Sequence, residues 1–445
     1  MKSYEAYKDS GVKWIGAIPV HWDIVPLKFN LSLKGRIGWN GLKSDEFKKE
    51  GYAYLVTGQD FTKAEIDWSK CYQIDKDRYD EDPFIQLANG DLLVTKDGTI
   101  GKVAKVSGLD KPACLNSGIF VVKQTKNIFL QDYLYWTFIS SQLIDFNNFN
   151  SAGATIQHLY QNVFENMPLL IPNFAEQKAI ASYLDYKVGQ IDMAIVENEQ
   201  MLEDLKAYRS AIISDAITKG LDKSAEMKDS GVEWIGVIPS HWQCVPLKYL
   251  LSQPLQYGAN ESADSSNPEW PRYIRITDID EYGNLKDGTF KSLPPEKAQD
   301  YLLEEGDVLF ARSGATVGKT YLFKEEYKAC FAGYLIKAKC NNLLLPEFLY
   351  LYTNTNQYDN WKNSIFVQAT IPNIGADKYS LLPIVVPSVQ EQQRIIDYLN
   401  VRLGAISAIL SDLQSQIDDL KAYKSSMITA AVTGKVDLRD WKNKM

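Results

Sequence analysis

Apolar residues return every three and four positions along two stretches of the chain, 172–220 and 387–434. In the first, Leu184, Val188, Ile191, Ile195, Asn198, Leu202, Leu205, Arg209, Ile212 and Ala216 fall on one line. In the second the line is Leu399, Leu403, Ile406, Leu410, Leu413, Ile417, Leu420, Lys424, Met427 and Ala431. A 3.5-residue period sustained this long is the pattern of a coiled-coil seam. Each stretch opens on a capping box, Asn173 with Glu176 and Ser388 with Glu391, which satisfies the orphan amides of a first turn. Each closes at a glycine, Gly220 or Gly434, suited to a helix stop. A helix of about 45 residues spans roughly 65 Å, longer than most compact cores. The spacing therefore predicts two long helices that pair with each other.

The two stretches are copies. Glu176-Gln177 falls on Glu391-Gln392, and DLKAYRS at 204–210 meets DLKAYKS at 419–425. A second repeat precedes each: DSGVKWIGAIPVHWDIVPLK at 9–28 and DSGVEWIGVIPSHWQCVPLK at 229–248. Its tryptophans, prolines and Trp-Ile-Gly turn supply apolar anchors and fixed backbone angles, so the box reads as a docking strap. His21 and His241 sit in this box and read as structural.

Between each box and its helix, short β-rich runs dominate. In the first half they lie at 52–56, 92–95, 102–106 and 119–123, with a helix predicted over 130–146. In the second half they lie at 272–276, 308–312, 320–323 and 334–338, with a helix near 346–357. Both halves carry Gly-Asp-x-Leu, at Gly90-Asp91 and Gly306-Asp307, then glycine-bearing turns ending in Gly101-Lys102 and Gly318-Lys319. Ala154-Thr155-Ile156 answers to Ala369-Thr370-Ile371. The expected fold is α+β: two similar globular α+β domains joined by two long antiparallel coiled-coil helices, an internal duplication with a pseudo-twofold. The segments are 1–28 (box), 29–172 (domain), 173–220 (helix), 221–248 (box), 249–387 (domain), 388–434 (helix) and 435–445 (tail). A twofold across antiparallel helices brings the first box to the end of the second helix and the termini together.

Composition narrows the class. The 445 residues allow two or more cores, and 45% apolar with 23% charged residues is a soluble globular balance. No apolar run reaches membrane-spanning length and the start does not open a signal peptide, so no membrane association and a cytoplasmic location are expected. Five cysteines without CxxC spacing suggest neither zinc nor a disulfide framework. A net charge of −8 counts against nucleic-acid binding by the chain alone.

Candidate chemistry is mostly removed by inspection. The segment from Ser313 to Thr320 resembles a phosphate-binding loop, but Ser313 stands where the motif needs glycine. The segment from Asp278 resembles a calcium loop, but Thr289 replaces its final glutamate. Asn267-Pro-Glu-Trp270 has the wrong third residue for a base methyltransferase, and three histidines leave little for a nucleophile–base pair. The chain reads as non-catalytic, with no metal site and no cofactor of its own. Polar residues at corresponding loop positions carry what signal remains, being of types that contact phosphates or base edges. They are Thr57, Gln59, Lys96, Thr99, Lys102, Gln157 and His158 in the first half. In the second they are Arg272, Arg275, Thr277, Arg312, Thr316, Lys319, Gln368 and Asn373.

The duplicated layout, with its Ile-Pro-x-His-Trp boxes, Gly-Asp-x-Leu loops and Pro-x-x-x-Glu-Gln helix starts, resembles the specificity subunit of type I restriction-modification systems across nearly the whole chain. The resemblance implies two target-recognition domains, each reading one half of an interrupted sequence in double-stranded DNA. It implies helices that act as spacer and as dock for two methyltransferase (modification) subunits, with separate restriction/translocase subunits. Those partners would hold S-adenosylmethionine, ATP and Mg. The competing expectation is a coiled-coil scaffold without sequence-specific reading.

Overall fold

The computed structural model describes residues 2–36, 42–62, 64–150, 158–280, 283–314, 316–366 and 373–442. Two helices dominate it, Phe174–Lys219 and Val389–Val432. Asn173 caps the first, its Oδ1 accepting from the Glu176 N–H at 3.0 Å, and Ser388 Oγ does the same for Glu391 at 3.2 Å. Gly220 and Gly434 stop them at φ +72° and +69°, a left-handed conformation that side chains resist.

The chain divides into two compact units, residues 1–198 with 415–445, and residues 199–414, so each unit holds part of both long helices. In the first unit Asp192 pairs with Lys424 at 2.6 Å while Tyr183 meets Trp441 further along, so the helix segments run antiparallel. In the second, Leu202 shares a cleft with Leu410, and Ile213 shares another with Asn400 and Leu403, again antiparallel. The seam residues Val188, Ile191 and Ile195 and their counterparts Ile406 and Leu410 are buried. Toward each helix end the buried stripe widens to include Ile213 and Ile217, or Ile428 and Val432. There the helix leaves the narrow seam and enters a globular core. Ile217 joins Ile238, Trp242 and Leu247 of the second box in one apolar cluster.

The globular parts repeat one topology. In the first unit a four-stranded antiparallel sheet has the order Val103–Lys105, Leu92–Thr95, Ile119–Gln124, Leu31–Lys34. In the second the order is Thr320–Leu322, Val308–Ala311, Leu335–Ala338, Gln256–Tyr257. Beside each lies a parallel pair, Ala53–Val56 with Ala113–Leu115, and Arg272–Ile274 with Ala329–Phe331. The helix predicted over 130–146 is two, Gln131–Ile139 and Ser141–Asn150. Ser140 breaks it: at ψ 168° its Oγ donates to the Thr137 carbonyl and accepts from the Gln142 N–H, a local bond that competes with the helix ladder.

Each box straps a helix start. Asp23–Pro26 pairs antiparallel with Pro168–Ile171, and Gln243–Pro246 with Pro383–Val386, the strands leading into the long helices. His21 Nε2 lies 2.9 Å from Glu176 Oε1 and His241 Nε2 3.1 Å from Glu391 Oε2. Each histidine thus finds its acidic partner on a helix start. Gln177, fully buried, accepts from Leu130 N–H at 2.7 Å and donates to the carbonyls of Ile128 (3.0 Å) and Pro172 (2.9 Å). Gln392 makes the same three bonds, to Leu345, Leu343 and Pro387. The segment after the second helix also meets the start of the described chain: Asp437 N–H donates to the Lys2 carbonyl at 2.8 Å, and Lys435 Nζ to that of Ile15 at 3.0 Å.

Candidate nucleic-acid interface

The sheet edges present the candidate residues on tight turns. Thr95 ends a fully buried strand, and its Oγ1 bonds the Thr99 carbonyl (2.5 Å) and the Lys102 amide (2.9 Å), closing a hairpin turn. Gly98 and Gly101, at φ +68° and +82°, let the chain reverse there. The corresponding turn in the second unit runs from Arg312 to Lys319, with Gly318 N–H donating to the Ala311 carbonyl at 2.8 Å. Both turns lead into a strand, whereas a phosphate-binding loop would open a helix.

Two further segments meet each turn. Leu159 N–H donates to the Lys96 carbonyl at 3.0 Å, and His158 Nδ1 bonds the Asp97 carboxylate. In the second unit Ile374 N–H donates to the Arg312 carbonyl at 2.8 Å and Asn373 pairs with Ser313. The second segment carries Thr57 and Gln59, and a Cβ at Gly58 would stand 3.2 Å from Thr95 Cγ2. That loop is held by the buried Asp60, whose Oδ2 accepts from the Thr57 amide at 2.6 Å. The buried Asp278 holds Arg275 likewise at 2.9 Å.

Thr57, Gln59, Lys96, Thr99, Lys102 and His158 therefore converge in the first unit. Gln59, Thr99 and Lys102 are exposed, while Lys96 is half-buried over the Phe120 ring at 5.0 Å. In the second unit Arg312, Thr316, Lys319 and Asn373 share the equivalent turn, and Thr277 is exposed on the neighbouring loop. The Arg312 guanidinium stacks 4.8 Å over Tyr257. Lys319 lines a cleft of about 250 Å³ together with Lys206, Arg209 and Lys362, cations outside the candidate set. Two candidates stand apart from this group. Arg275 is bound bidentately to Asp278 (2.7 and 3.1 Å) and also donates to the Thr289 carbonyl, so its guanidinium has a structural task. Arg272 sits at the start of its strand against Tyr327 and Phe290. Gln157, Gln368 and the two Ala-Thr-Ile segments lie outside the described residues.

Sequence reading missed Asp97 and Tyr257, because each acts on a candidate only once distant strands are assembled. The Gly-Asp-x-Leu motif is scaffolding. The Asp91 and Asp307 carboxylates accept from the amides of Ala88 and Glu304 and face Lys123 (3.4 Å) and Lys337 (3.8 Å) on the adjoining strand. Burial pushes the Cys114 thiol up to about 11 and Cys330 to about 12, far from a reactive thiolate. Among the described residues no group of three or more His, Cys, Asp or Glu is placed to hold a metal ion, and no helix is long and apolar enough to cross a membrane.

The family described as Type I restriction modification DNA specificity domain matches residues 40–200 and again 258–418. The chain belongs to that family. It is a DNA-recognition subunit of a type I restriction-modification system, a non-catalytic component, and its two matched segments are the two halves of the duplication. The chain is 23% identical over 351 residues to the Type I restriction enzyme EcoBI specificity subunit of Escherichia coli, covering 76% of this chain and 71% of that one. It is 22% identical over 424 residues to the EcoKI specificity subunit of Escherichia coli strain K12, covering 93% and 88%. A chain solved in work on complex assembly and conformational transition of the type I R-M system superposes with a TM-score of 0.72, covering 94% of this chain and 99% of that chain at 15% identity. This last likeness concerns the fold.

Proposed function

We propose that each globular domain, 29–172 and 249–387, reads one half of a bipartite sequence in double-stranded DNA through the turn at 96–102 or 312–319 and the segments beside it. The observation that carries this reading is a contrast within one chain. The backbone frames agree, with Gly101 and Gly318 donating to Thr95 and Ala311 and with Leu159 and Ile374 donating to Lys96 and Arg312, yet the polar residues they carry differ: Lys96 against Arg312, His158 against Asn373, Gln59 against Thr277. Similar frames bearing different polar side chains suit two readers of different base edges.

In this reading the long helices set the spacing of the half-sites and dock two modification subunits, and restriction/translocase subunits join the complex. S-adenosylmethionine, ATP and Mg are held by those partners, in the cytoplasm. Much of the phosphate neutralisation then comes from the modification subunits, which reconciles a subunit of net charge −8 with a DNA target. The chain alone binds DNA weakly and with strong salt dependence, and tight site-specific binding by the isolated chain in a gel shift would overturn this. The central test maps methylated adenines genome-wide in cells with and without the chain, and again after residues 250–386 are exchanged for another such domain. One half of the methylated site should change. An unchanged site would refute the reading in favour of a scaffold.

A further inference from the structure

The heptapeptide shared by the two long helices keeps its outward residues as faithfully as its inward ones. Tyr208 and Tyr423 are each 53% exposed, with Asp204 and Ala207, or Asp419 and Ala422, exposed beside them. Exposed positions usually change with little effect on stability. Their retention in two copies that differ at most other outward positions points to a contact made twice.

Around Tyr423 the adjoining surface is filled from within the chain. Trp441 sets its ring edge-on against Tyr183 at 5.7 Å and tilted against Tyr186 at 6.1 Å. Tyr183 is only 4% exposed, and burial together with the nearby Tyr423 pushes its phenol up. In the second unit the same helical positions are Tyr398 and Val401, 37% and 77% exposed. Tyr208 and Tyr398 are the counterparts of Tyr423 and Tyr183, which lie near each other, and Arg209 beside Tyr208 lines one cleft with Asn400 and Leu403. Among the described residues nothing there corresponds to Trp441. After Gly220 the chain runs through 221–226 straight into the box strand Met227–Asp229.

We propose that the surface around Tyr398, Val401 and Tyr208 receives an aromatic-bearing segment of the modification subunit. The equivalent surface of the first unit is filled by Trp441, so two modification subunits bind in unequal steps. This rests on the reading that such subunits dock on the helices. Trp441 shows the chemistry the surface accepts: an aromatic ring, the neighbouring Asp440 carboxylate being paired instead with Lys2 at 3.3 Å. On the open copy the Arg402 guanidinium, 5.3 Å over the Tyr398 ring, puts a cation beside the place an incoming ring would take. At the first unit an incoming segment must first displace Trp441. Aromatic contacts of this kind place the two steps about tenfold apart in affinity.

The test is calorimetric titration of the full chain with the modification subunit of the same system. The intact chain should show two dissociation constants about tenfold apart. Trp441→Ala should tighten the weaker step toward the stronger, and Val401→Asp should weaken only the stronger. Because both side chains are on the surface, circular dichroism should show each variant folded as the parent. Two equal constants in the intact chain, or a stronger step indifferent to Val401→Asp, would overturn the proposal. So would concentration-dependent self-association abolished by Trp441→Ala, which would make the occupant the tail of a second copy. A chain that binds no modification subunit at all would instead refute the functional reading on which this one stands.

Discussion

Replacing Gln177 by leucine tests what fixes the start of the first long helix. The side chain is wholly buried and joins three backbone groups: the Leu130 amide and the Ile128 and Pro172 carbonyls. Leucine fills a similar volume but leaves all three without that partner. At roughly 1 kcal/mol for each lost bond the variant should lose about 3 kcal/mol, the upper range for a single substitution. For a unit of this size that corresponds to a fall in Tm of about 6–12 °C. Urea unfolding followed by far-ultraviolet circular dichroism gives the first figure, and a thermal scan gives the second. Gln392→Leu should cost as much, and the two losses should add, since the residues share no partner. His21→Ala is the comparator: its imidazole is 40% exposed, and the buried Glu176 it faces keeps the Asn173 side-chain amide as a donor at 2.8 Å, so one lost bond should cost about 1–2 kcal/mol. If Gln177→Leu costs no more than His21→Ala, these hydrogen bonds do not hold the helix start.

Four further outcomes follow from the same geometry. Arg439 holds the Asp437 carboxyl below its usual range, so the stabilisation it gives is present above about pH 4 and is lost as pH falls through the lowered value. Urea midpoints of the parent and Asp437→Asn should therefore converge on acidification. Gly434→Ala puts a Cβ 2.5 Å from Pro19 Cδ at φ +69° and should destabilise by more than about 1 kcal/mol. Gly189→Ala and Gly404→Ala meet nothing within 4 Å and should each stabilise by up to about 1 kcal/mol, yet weaken assembly with modification subunits if the glycines admit a partner. Arg312→Ala should relax one half of the methylated site with little loss of stability. Arg275→Ala should cost about 3 kcal/mol by stranding the buried Asp278, a difference that methylation mapping and urea unfolding together would read.

The helices and strands were legible because each rests on a short-range signal: a seam period, a cap, a closing glycine, a β-rich run between turns. Ser140 was not, because a serine breaks a helix only when its hydroxyl finds the right backbone partners. The partners of His21 and Gln177 were hidden for another reason. Glu176 stands 155 residues from His21, and the carbonyl of Ile128 stands 49 from Gln177, so only the assembled fold joins them. Candidate loop residues were chosen by type and corresponding position, which located the turns but could not separate Arg312, stacked on Tyr257, from Arg275, tied to Asp278. Among the described residues nothing lies within 4 Å of a Cβ built at Gly189 or Gly404, so the repeat of these two glycines has no explanation inside the fold.

The first unit is discontinuous, closing residues 1–198 with residues 415–445, while the second is one uninterrupted run. On a translating ribosome the second unit can therefore finish once residue 414 has emerged, whereas the first, begun earlier, must wait for its missing helical segment. During that wait Pro19 and Trp22 have no Gly434 turn to pack on. Nascent chains should show their longest-lived exposed apolar surface in the part made first, the reverse of the usual order in which amino-terminal domains close ahead of those that follow.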